Sequence, residues 1–398
     1  MKYDQLFSPL TIKGCTFPNR ILRTAMVSRL AAEDGSVTEV LKERYRREAI
    51  GEPGGIVVEA AVVLPSRSSY NLRISDDSFI PHLREIVNVI HAENPEVRVG
   101  IQILHFLKLS RSGWRQKVEG FKPEELKIIV EQHADAAKRA VAAGFDFIEL
   151  HMAHAFTLSS FLSLVNTRTD EYGGRSLEDR LRLPTEVYQA VRDEVGEGFP
   201  LGIRINGEDF TIEGTTLLQS TRIARRFAEL GADYISVSAG DRFEDAPTPP
   251  PGMPLFPSSG YSGSRMSPKW WAPDGANVYL AERIRKSVRD AGFDVPIVTA
   301  GKIRTPELAE EILQQGRADI IGLCRPLLCD PDWTVKAKEG RADDIVKCRA
   351  CGWCTEADGR YETVKCILWQ KGNTHAPRPF LHPSRQGILY CRNKCREL

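Results

Sequence analysis

The sequence has no excess charge of either sign: among 398 residues, 54 lysines and arginines balance 53 aspartates and glutamates, for a net charge of +1. It has no long block of one sign, so neither nucleic-acid binding nor a polybasic membrane anchor is indicated. No apolar run approaches the roughly 18 residues of a membrane-spanning helix. The amino-terminal segment lacks the features of a secretion signal or transit peptide. We therefore expect a cytoplasmic protein whose partner is a small molecule, with no nucleic-acid or membrane partner.

Cysteine is scarce through most of the chain and concentrated near its C-terminus. Only Cys15, Cys324 and Cys329 precede position 340, whereas six cysteines follow it. In a reducing compartment such a cluster is more typical of metal binding than of disulfides, and the odd total of nine argues against full pairing. Residues 347–398 are therefore predicted to form a Cys-rich extension.

Eight short apolar runs alternate with amphipathic segments. The runs cover residues 20–26, 56–63, 97–104, 145–150, 201–205, 234–237, 295–299 and 320–323. Near-continuous apolar strands followed by helices are typical of parallel sheets covered by helices. Eight such units predict an α/β fold, a closed (β/α)8 TIM barrel over residues 1–346. A doubly wound open sheet is the alternative, but no G-x-G-x-x-G follows the first strand.

The segment after the third run shows helical periodicity. Its apolar side chains recur at three- and four-residue spacing and predict one buried stripe that ends before Gly144. The predicted stripe comprises Leu126, Ile129, Val130, His133, Ala134, Ala137 and Val141.

The loop at residues 241–275 is too long for the repeat. It contains eight prolines together with Tyr261, Trp270 and Trp271. Because long loops in compact domains are usually functional or disordered, and aromatic side chains favour order, we predict a lid over the strand ends.

Two histidines follow the fourth predicted strand, at the end of the barrel where active sites lie. His151 and His154 are three residues apart, so both imidazoles can donate hydrogen bonds to one electronegative substrate atom. A zinc site is the alternative, and it requires a third ligand such as His105.

Other strand ends indicate a phosphorylated, anionic cofactor. Gly301 permits close backbone approach and Arg325 supplies charge at the usual phosphate site of a barrel. Arg204 would be costly to bury without an anionic partner, and a reduced flavin is one such partner.

These residues belong to motifs that resemble the old yellow enzyme family of FMN-dependent oxidoreductases. The motifs are Asn19-Arg20-Ile21, Gln102-x-x-His105, His151-x-x-His154, Arg168-Thr169-Asp170-Glu171-Tyr172-Gly173-Gly174 and Arg325-Pro326-Leu327. The resemblance implies that FMN binds non-covalently in the barrel mouth. It further implies that NAD(P)H reduces the flavin and that hydride then passes to an activated alkene whose oxygen is held by His151 and His154. The FMN-binding residues implied are Thr24, Ala25, Met26, Ala60, Gln102 and Arg204 at the ring, and Gly301, Cys324 and Arg325 at the phosphate.

One departure from the family concerns the proton donor. Family members commonly carry a tyrosine two residues after the second histidine, and here that position is Phe156. The proton would then come from Tyr261, from another lid residue or from water. Alternatively, the enzyme catalyses an isomerisation or dehydrogenation that needs no such donor.

The C-terminal cysteines refine the resemblance. The pattern Cys348-x2-Cys351-x2-Cys354-x11-Cys366 is similar to the segment of 2,4-dienoyl-CoA reductase and trimethylamine dehydrogenase that holds a [4Fe-4S] cluster beside FMN. Zinc bound by the same thiolates and a metal-free segment are the alternatives. A cluster implies a separate electron-transfer protein as partner, because those relatives continue into a nucleotide-binding region beyond the matching part. A homo-oligomer is compatible with the sequence.

The sequence thus predicts an FMN-dependent oxidoreductase that acts on an α,β-unsaturated carbonyl or thioester. The first alternative is a flavin-dependent amine dehydrogenase or N-demethylase, or a double-bond isomerase. A non-enzymatic alternative is an inactive barrel whose zinc-bound extension serves for docking.

Overall fold

The computed structural model describes residues 2–65, 70–106, 118–241 and 260–369. Its strands comprise an antiparallel pair and eight parallel strands. They are β1 (Leu10–Ile12), β2 (Cys15–Phe17), β3 (Ile21–Arg23), β4 (Gly55–Val62), β5 (Arg98–Leu104), β6 (Phe147–Met152), β7 (Leu201–Asn206), β8 (Tyr234–Ser238), β9 (Ile297–Thr299) and β10 (Ile320–Leu323). Strands β3 to β10 close into a barrel in sequence order, with β10 pairing with β3 through Ile321 and Ile21. The predicted (β/α)8 barrel is confirmed.

Helices follow the strands and cover the outside of the barrel. They are α1 (Glu39–Ile50), α2 (Phe79–Glu93), α3 (Pro123–Ala143), α4 (Thr157–Leu162), α5 (Leu177–Val195), α6 (Leu217–Glu229), α7 (Gly260–Met266), α8 (Val278–Asp290), α9 (Pro306–Gln314), α10 (Arg325–Cys329), α11 (Trp333–Lys338) and α12 (Trp353–Gly359). Helix α3 ends at Ala143, and Gly144 terminates it with a left-handed backbone, as predicted. The predicted stripe was wrong at Val141, which is exposed, because Ala136, Ala140 and Ala143 complete the buried face.

Strand boundaries differ from the sequence prediction where the chain approaches the barrel mouth. The first predicted strand extended to Met26, but β3 ends at Arg23 and the next three residues leave the sheet. The fourth extends further than predicted, through Met152, so His151 lies within β6.

The amino end of the barrel is closed by apolar side chains. Phe17 of the β1–β2 hairpin packs edge-on against Phe147, with 5.4 Å between ring centroids, and Phe147 packs against Tyr234 at 6.0 Å. A ligand therefore has access only from the carboxyl ends of the strands, among the residues the structure describes.

The C-terminal extension packs on the barrel mouth as far as it is described. The Arg44 guanidinium donates to the backbone oxygen of Val364 at 3.2 Å and stacks on Trp369 at 4.8 Å. Trp369 in turn donates to the backbone oxygen of Leu328 at 2.9 Å. Cys391 and Cys395, and residues 242–259 of the predicted lid, lie outside the described residues. No helix in the described ranges has both the length and the apolar character needed to cross a membrane.

Candidate active site

A cavity of about 680 Å³ opens at the carboxyl ends of the barrel strands. All nine residues predicted to bind FMN line it, and so do both predicted histidines. They are Thr24, Ala25, Met26, Ala60, Gln102, His151, His154, Arg204, Gly301, Cys324 and Arg325. Tyr261, one of the proton donors considered from the sequence, is not among the lining residues; its ring packs edge-on against Phe210 at 5.9 Å.

The histidine pair is held by the strand end and by Ser238. The backbone N–H of Ala153 donates to Nδ1 of His151 at 3.3 Å, so the proton of a neutral ring resides on Nε2. Nε2 of His154 lies 2.6 Å from Oγ of Ser238. The backbone of His154 is left-handed, with φ of 60°, which is costly for a side chain of this type and typical of functional sites. The two ring centroids are 5.1 Å apart.

Burial, and then the positive charge of Arg204, hold the pKa of His151 well below its usual value of 6.5. His151 is therefore neutral near pH 7 and donates a hydrogen bond without carrying a charge.

His105, the third histidine of the alternative zinc site, makes other contacts. Nδ1 of His105 lies 2.7 Å from Oγ1 of Thr157. The imidazole of His105 stacks on that of His133, with 6.3 Å between the ring centroids.

Buried polar atoms in the cavity wall lack hydrogen-bond partners within the described residues. Arg204 donates weakly to the backbone oxygen of Ala25 and to Ser238, each at 3.4 Å, and its Nε has no partner. Oγ1 of Thr24 is also without one. Because buried polar groups are nearly always satisfied, these atoms indicate a ligand with a polar edge.

Gln102 in the cavity wall is hydrogen-bonded to the buried Glu149. Nε2 of Gln102 donates to Glu149 at 2.6 Å, and the Tyr234 hydroxyl lies 3.3 Å from the same carboxyl group. Burial raises the pKa of Glu149, and the positive charge of Arg204 opposes that rise.

The end of the cavity at strands β9 and β10 is cationic. Gly301 has φ of 124°, and a Cβ there would come within 2.8 Å of the Asn277 side chain, so only glycine fits. Lys302, Arg304 and Arg325 line the same end. Sequence reasoning missed Lys302 and Arg304, although their position directly after the seventh strand was a signal for them.

The C-terminal extension supplies part of the cavity wall. Asp358 and Tyr361 line the cavity together with Arg29 and Asn71. The sequence carried no signal for this arrangement, because the residues are distant in the chain: Arg29 and Asp358, which are hydrogen-bonded, lie 329 positions apart.

A second, smaller cavity is lined by all four cysteines of the predicted metal set, Cys348, Cys351, Cys354 and Cys366. Arg325, Cys348 and Cys354 line both cavities, so the two share a wall. Burial raises the pKa of Cys354 to about 12, while Arg325 opposes the rise.

The four thiols do not converge on one point. Within the described ranges, no three His, Cys, Asp or Glu side chains are close enough to hold a single metal ion. Sequence reasoning also missed Cys329, whose buried thiol interacts with Cys366 and lowers its pKa.

Comparison with known proteins shows the family of this chain. The model of the NADH:flavin oxidoreductase / NADH oxidase family matches residues 5–254 and 266–344. The chain belongs to this family. Its members are FMN-dependent oxidoreductases that use NADH or NADPH.

Two curated relatives illustrate the family. The chain is 35% identical over 370 residues to an NADH oxidase of Thermoanaerobacter brockii, a match that covers 88% of this chain and 53% of that protein. It is 36% identical over 355 residues to an NADPH dehydrogenase of Geobacillus sp., covering 83% of this chain and 93% of the relative. The chain thus spans about half the length of the first relative and nearly all of the second.

Two solved structures share the fold. One is a 2-naphthoyl-CoA reductase, with a TM-score of 0.79, 24% identity and coverage of 92% of this chain and 57% of that one. The other is histamine dehydrogenase from Rhizobium sp. 4-9, with a TM-score of 0.78, 24% identity and coverage of 97% and 55%. At this identity the likeness concerns the fold alone.

Proposed function

We propose that this chain binds FMN in the barrel cavity and, after reduction by NAD(P)H, reduces an activated alkene such as an α,β-unsaturated carbonyl or thioester. The observation that carries the proposal is the convergence of two histidines and nine predicted FMN-binding residues on one cavity. Bound FMN supplies the hydride.

The histidines act on the substrate oxygen in this proposal. Neutral His151 donates from Nε2, and His154 is held at its side by Ser238. As the alkene is reduced, negative charge develops on the carbonyl oxygen. Hydrogen bonds directed at that oxygen stabilise the transition state more than the ground state and therefore raise kcat.

The fit of FMN rests on the unsatisfied atoms of the cavity. Arg204 Nε and Thr24 Oγ1 would donate to the polar edge of the flavin ring. Gly301, Cys324 and Arg325 would surround the phosphate. Replacing Arg204 with Met should therefore weaken FMN binding, measured as the Kd of the apoprotein for FMN by fluorescence quenching.

A substrate panel tests the reaction. The NADPH-reduced holoenzyme is mixed anaerobically with 2-cyclohexenone or with crotonyl-CoA. The oxidised holoenzyme is mixed, also anaerobically, with trimethylamine. We expect reoxidation of the flavin by the enone or the thioester. Reduction of the flavin by the amine, with no reaction of either alkene, would contradict the proposal.

We also propose that Cys348, Cys351, Cys354 and Cys366 hold a [4Fe-4S] cluster, which would exchange electrons with a separate protein. The support is the spacing of the cysteines, three close together and a fourth further on, which is typical of cluster ligands, and the small cavity that all four line. Iron and acid-labile sulfide of about four each per chain are expected. Cys348→Ser should lose them, whereas Cys15→Ser should not; zinc in their place would contradict the proposal.

Amine oxidation is the second candidate function, and Phe156 favours it. Its ring lies 4.9 Å from that of His151 and has no proton to give. Oxidation of an amine removes hydride from the substrate and requires no proton at carbon. The same panel separates the two candidates.

A further inference from the structure

We propose that Tyr361, in the Cys-rich extension, donates the proton to the α-carbon during alkene reduction. This inference rests on the proposed function. It assigns the proton donor, a role that Phe156 cannot fill because its side chain has no acidic proton. Nothing in the sequence pattern singled out Tyr361, which enters the site only through the packing of the extension on the barrel.

The lining of the cavity leaves few acids for this step. Tyr361 is the only tyrosine among the described residues that line it. The thiols that line it are those of Cys324, at the proposed phosphate site, and of Cys348 and Cys354, which belong to the predicted metal set. Lys302 lines it too, but its ammonium group donates to the backbone oxygens of Trp270 and Ala272 and lies beside Asp274. Serine and threonine hydroxyls are far weaker acids than a phenol, whose ordinary pKa is about 10.

The surroundings of Tyr361 suit a proton donor. The Arg29 guanidinium stacks on its ring at 4.7 Å, and that cation offsets the negative charge the phenol gains as it releases the proton. The carboxylate of Asp358 forms an ion pair with Arg29 through two contacts of 2.8 Å, so it is not available as the acid. Tyr361 is 51% exposed, so water can return a proton to it after each turnover.

The step balances in atoms and charge. The alkene gains hydride at its β-carbon from the reduced flavin, and negative charge passes to the carbonyl oxygen held by His151 and His154. The O–H bond of Tyr361 breaks as a C–H bond forms at the α-carbon. The resulting phenolate takes a proton from water.

The test compares Tyr361→Phe with wild-type holoenzyme on 2-methyl-2-cyclohexenone. General acid catalysis contributes typically ~10²-fold or more, so reoxidation of the reduced flavin by the enone should slow by about that factor. Reduction of the flavin by NADPH should be unchanged. The product should change from one enantiomer of 2-methylcyclohexanone to a mixture, because water then protonates the α-carbon from either face. Binding of the saturated ketone to the oxidised enzyme, measured by calorimetry without turnover, should be unaffected.

Two variants control the comparison. Tyr279→Phe alters an exposed tyrosine that does not line the cavity, and it should match the wild type. Phe156→Tyr, added to Tyr361→Phe, places a phenol beside His151 and should restore both rate and enantiomeric purity. Unchanged rate and stereochemistry in Tyr361→Phe, or the same losses in Tyr261→Phe alone, would overturn the inference. Failure of the wild type itself to reduce the enone would overturn the proposed function and this inference with it.

Discussion

Arg29 and Asp358 join the barrel to its Cys-rich extension across 329 positions of sequence. Nε and Nη2 of Arg29 both lie 2.8 Å from the same carboxylate oxygen of Asp358, and Nη1 donates to Asn71 at 3.1 Å. Because the pair also lines the active-site cavity, it couples the position of the extension to the shape of the site.

Removing this carboxylate should loosen the extension. Asp358→Asn leaves the largely buried Arg29 guanidinium without its charged partner, and we expect a loss of about 1–3 kcal/mol in the free energy of unfolding. Urea denaturation measures it, and a double-mutant cycle with Arg29→Met isolates the coupling. The exposed pair Arg360 and Glu362 provides the control, since Glu362→Gln should leave the free energy of unfolding unchanged. Equal effects of the two carboxylate variants would contradict a specific role for Asp358.

The histidine pair should be required for turnover and not for FMN binding. Replacing both His151 and His154 with Ala removes the donors to the developing oxyanion, and kcat for 2-cyclohexenone should fall ~10²-fold or more. The ratio of flavin to protein absorbance should stay constant. His82→Ala, on the exposed face of α2, serves as the matched control. Unchanged turnover in the double variant would remove the pair from the mechanism.

Three buried histidines should make the fold acid-sensitive. Burial lowers the pKa of His133 to about 4, and burial together with His133 lowers that of His105 to about 3; the pKa of His151 is lowered as well. The unfolded chain therefore binds protons below pH 6.5 that the folded chain does not, and stability falls as the pH drops. Between pH 7 and pH 5, His105 and His133 should each cost about 2 kcal/mol of unfolding free energy.

Urea denaturation at the two pH values measures this loss. His133→Leu should reduce the difference by the contribution of one histidine, whereas the exposed His82→Leu should not change it. A stability that is flat between pH 7 and pH 5 would contradict the prediction, because it would mean that the folded protein takes up as many protons over this range as the unfolded chain does.

Gly352 should be intolerant of a side chain. It has φ of 88°, and a Cβ would come within 2.5 Å of Nζ of Lys269. Gly352→Ala should cost about 1–2 kcal/mol in unfolding free energy and reduce iron content, because the residue follows Cys351 directly. Gly340→Ala is the control: its φ of 75° is similar, but nothing lies within 4 Å of the added Cβ. If the two variants behave alike, only the backbone conformation matters and the contact with Lys269 does not.

Much of the site was predictable because strand ends of a closed barrel converge. Residues at the ends of β3, β5, β6, β7 and β10 were expected to meet, and they line one cavity. The exception is Tyr261. Because it follows a long loop, the sequence did not determine whether its side chain reaches the cavity. The prediction that Val141 is buried was wrong for a different reason. Alanines complete the buried face of α3, and hydrophobicity alone does not distinguish them from exposed residues.

The amino-acid sequence by itself determined the barrel, the family and the residues around the proposed cofactor, since local periodicity and short motifs specify strands and their ends. Only the tertiary structure decided which side chains close the cavity from the extension. Arg29 meets Asp358 and Tyr361 through packing between distant segments, and no local pattern encodes such a contact. The shared wall of Arg325, Cys348 and Cys354 was decided in the same way, because it depends on how the extension folds back over the end of the barrel.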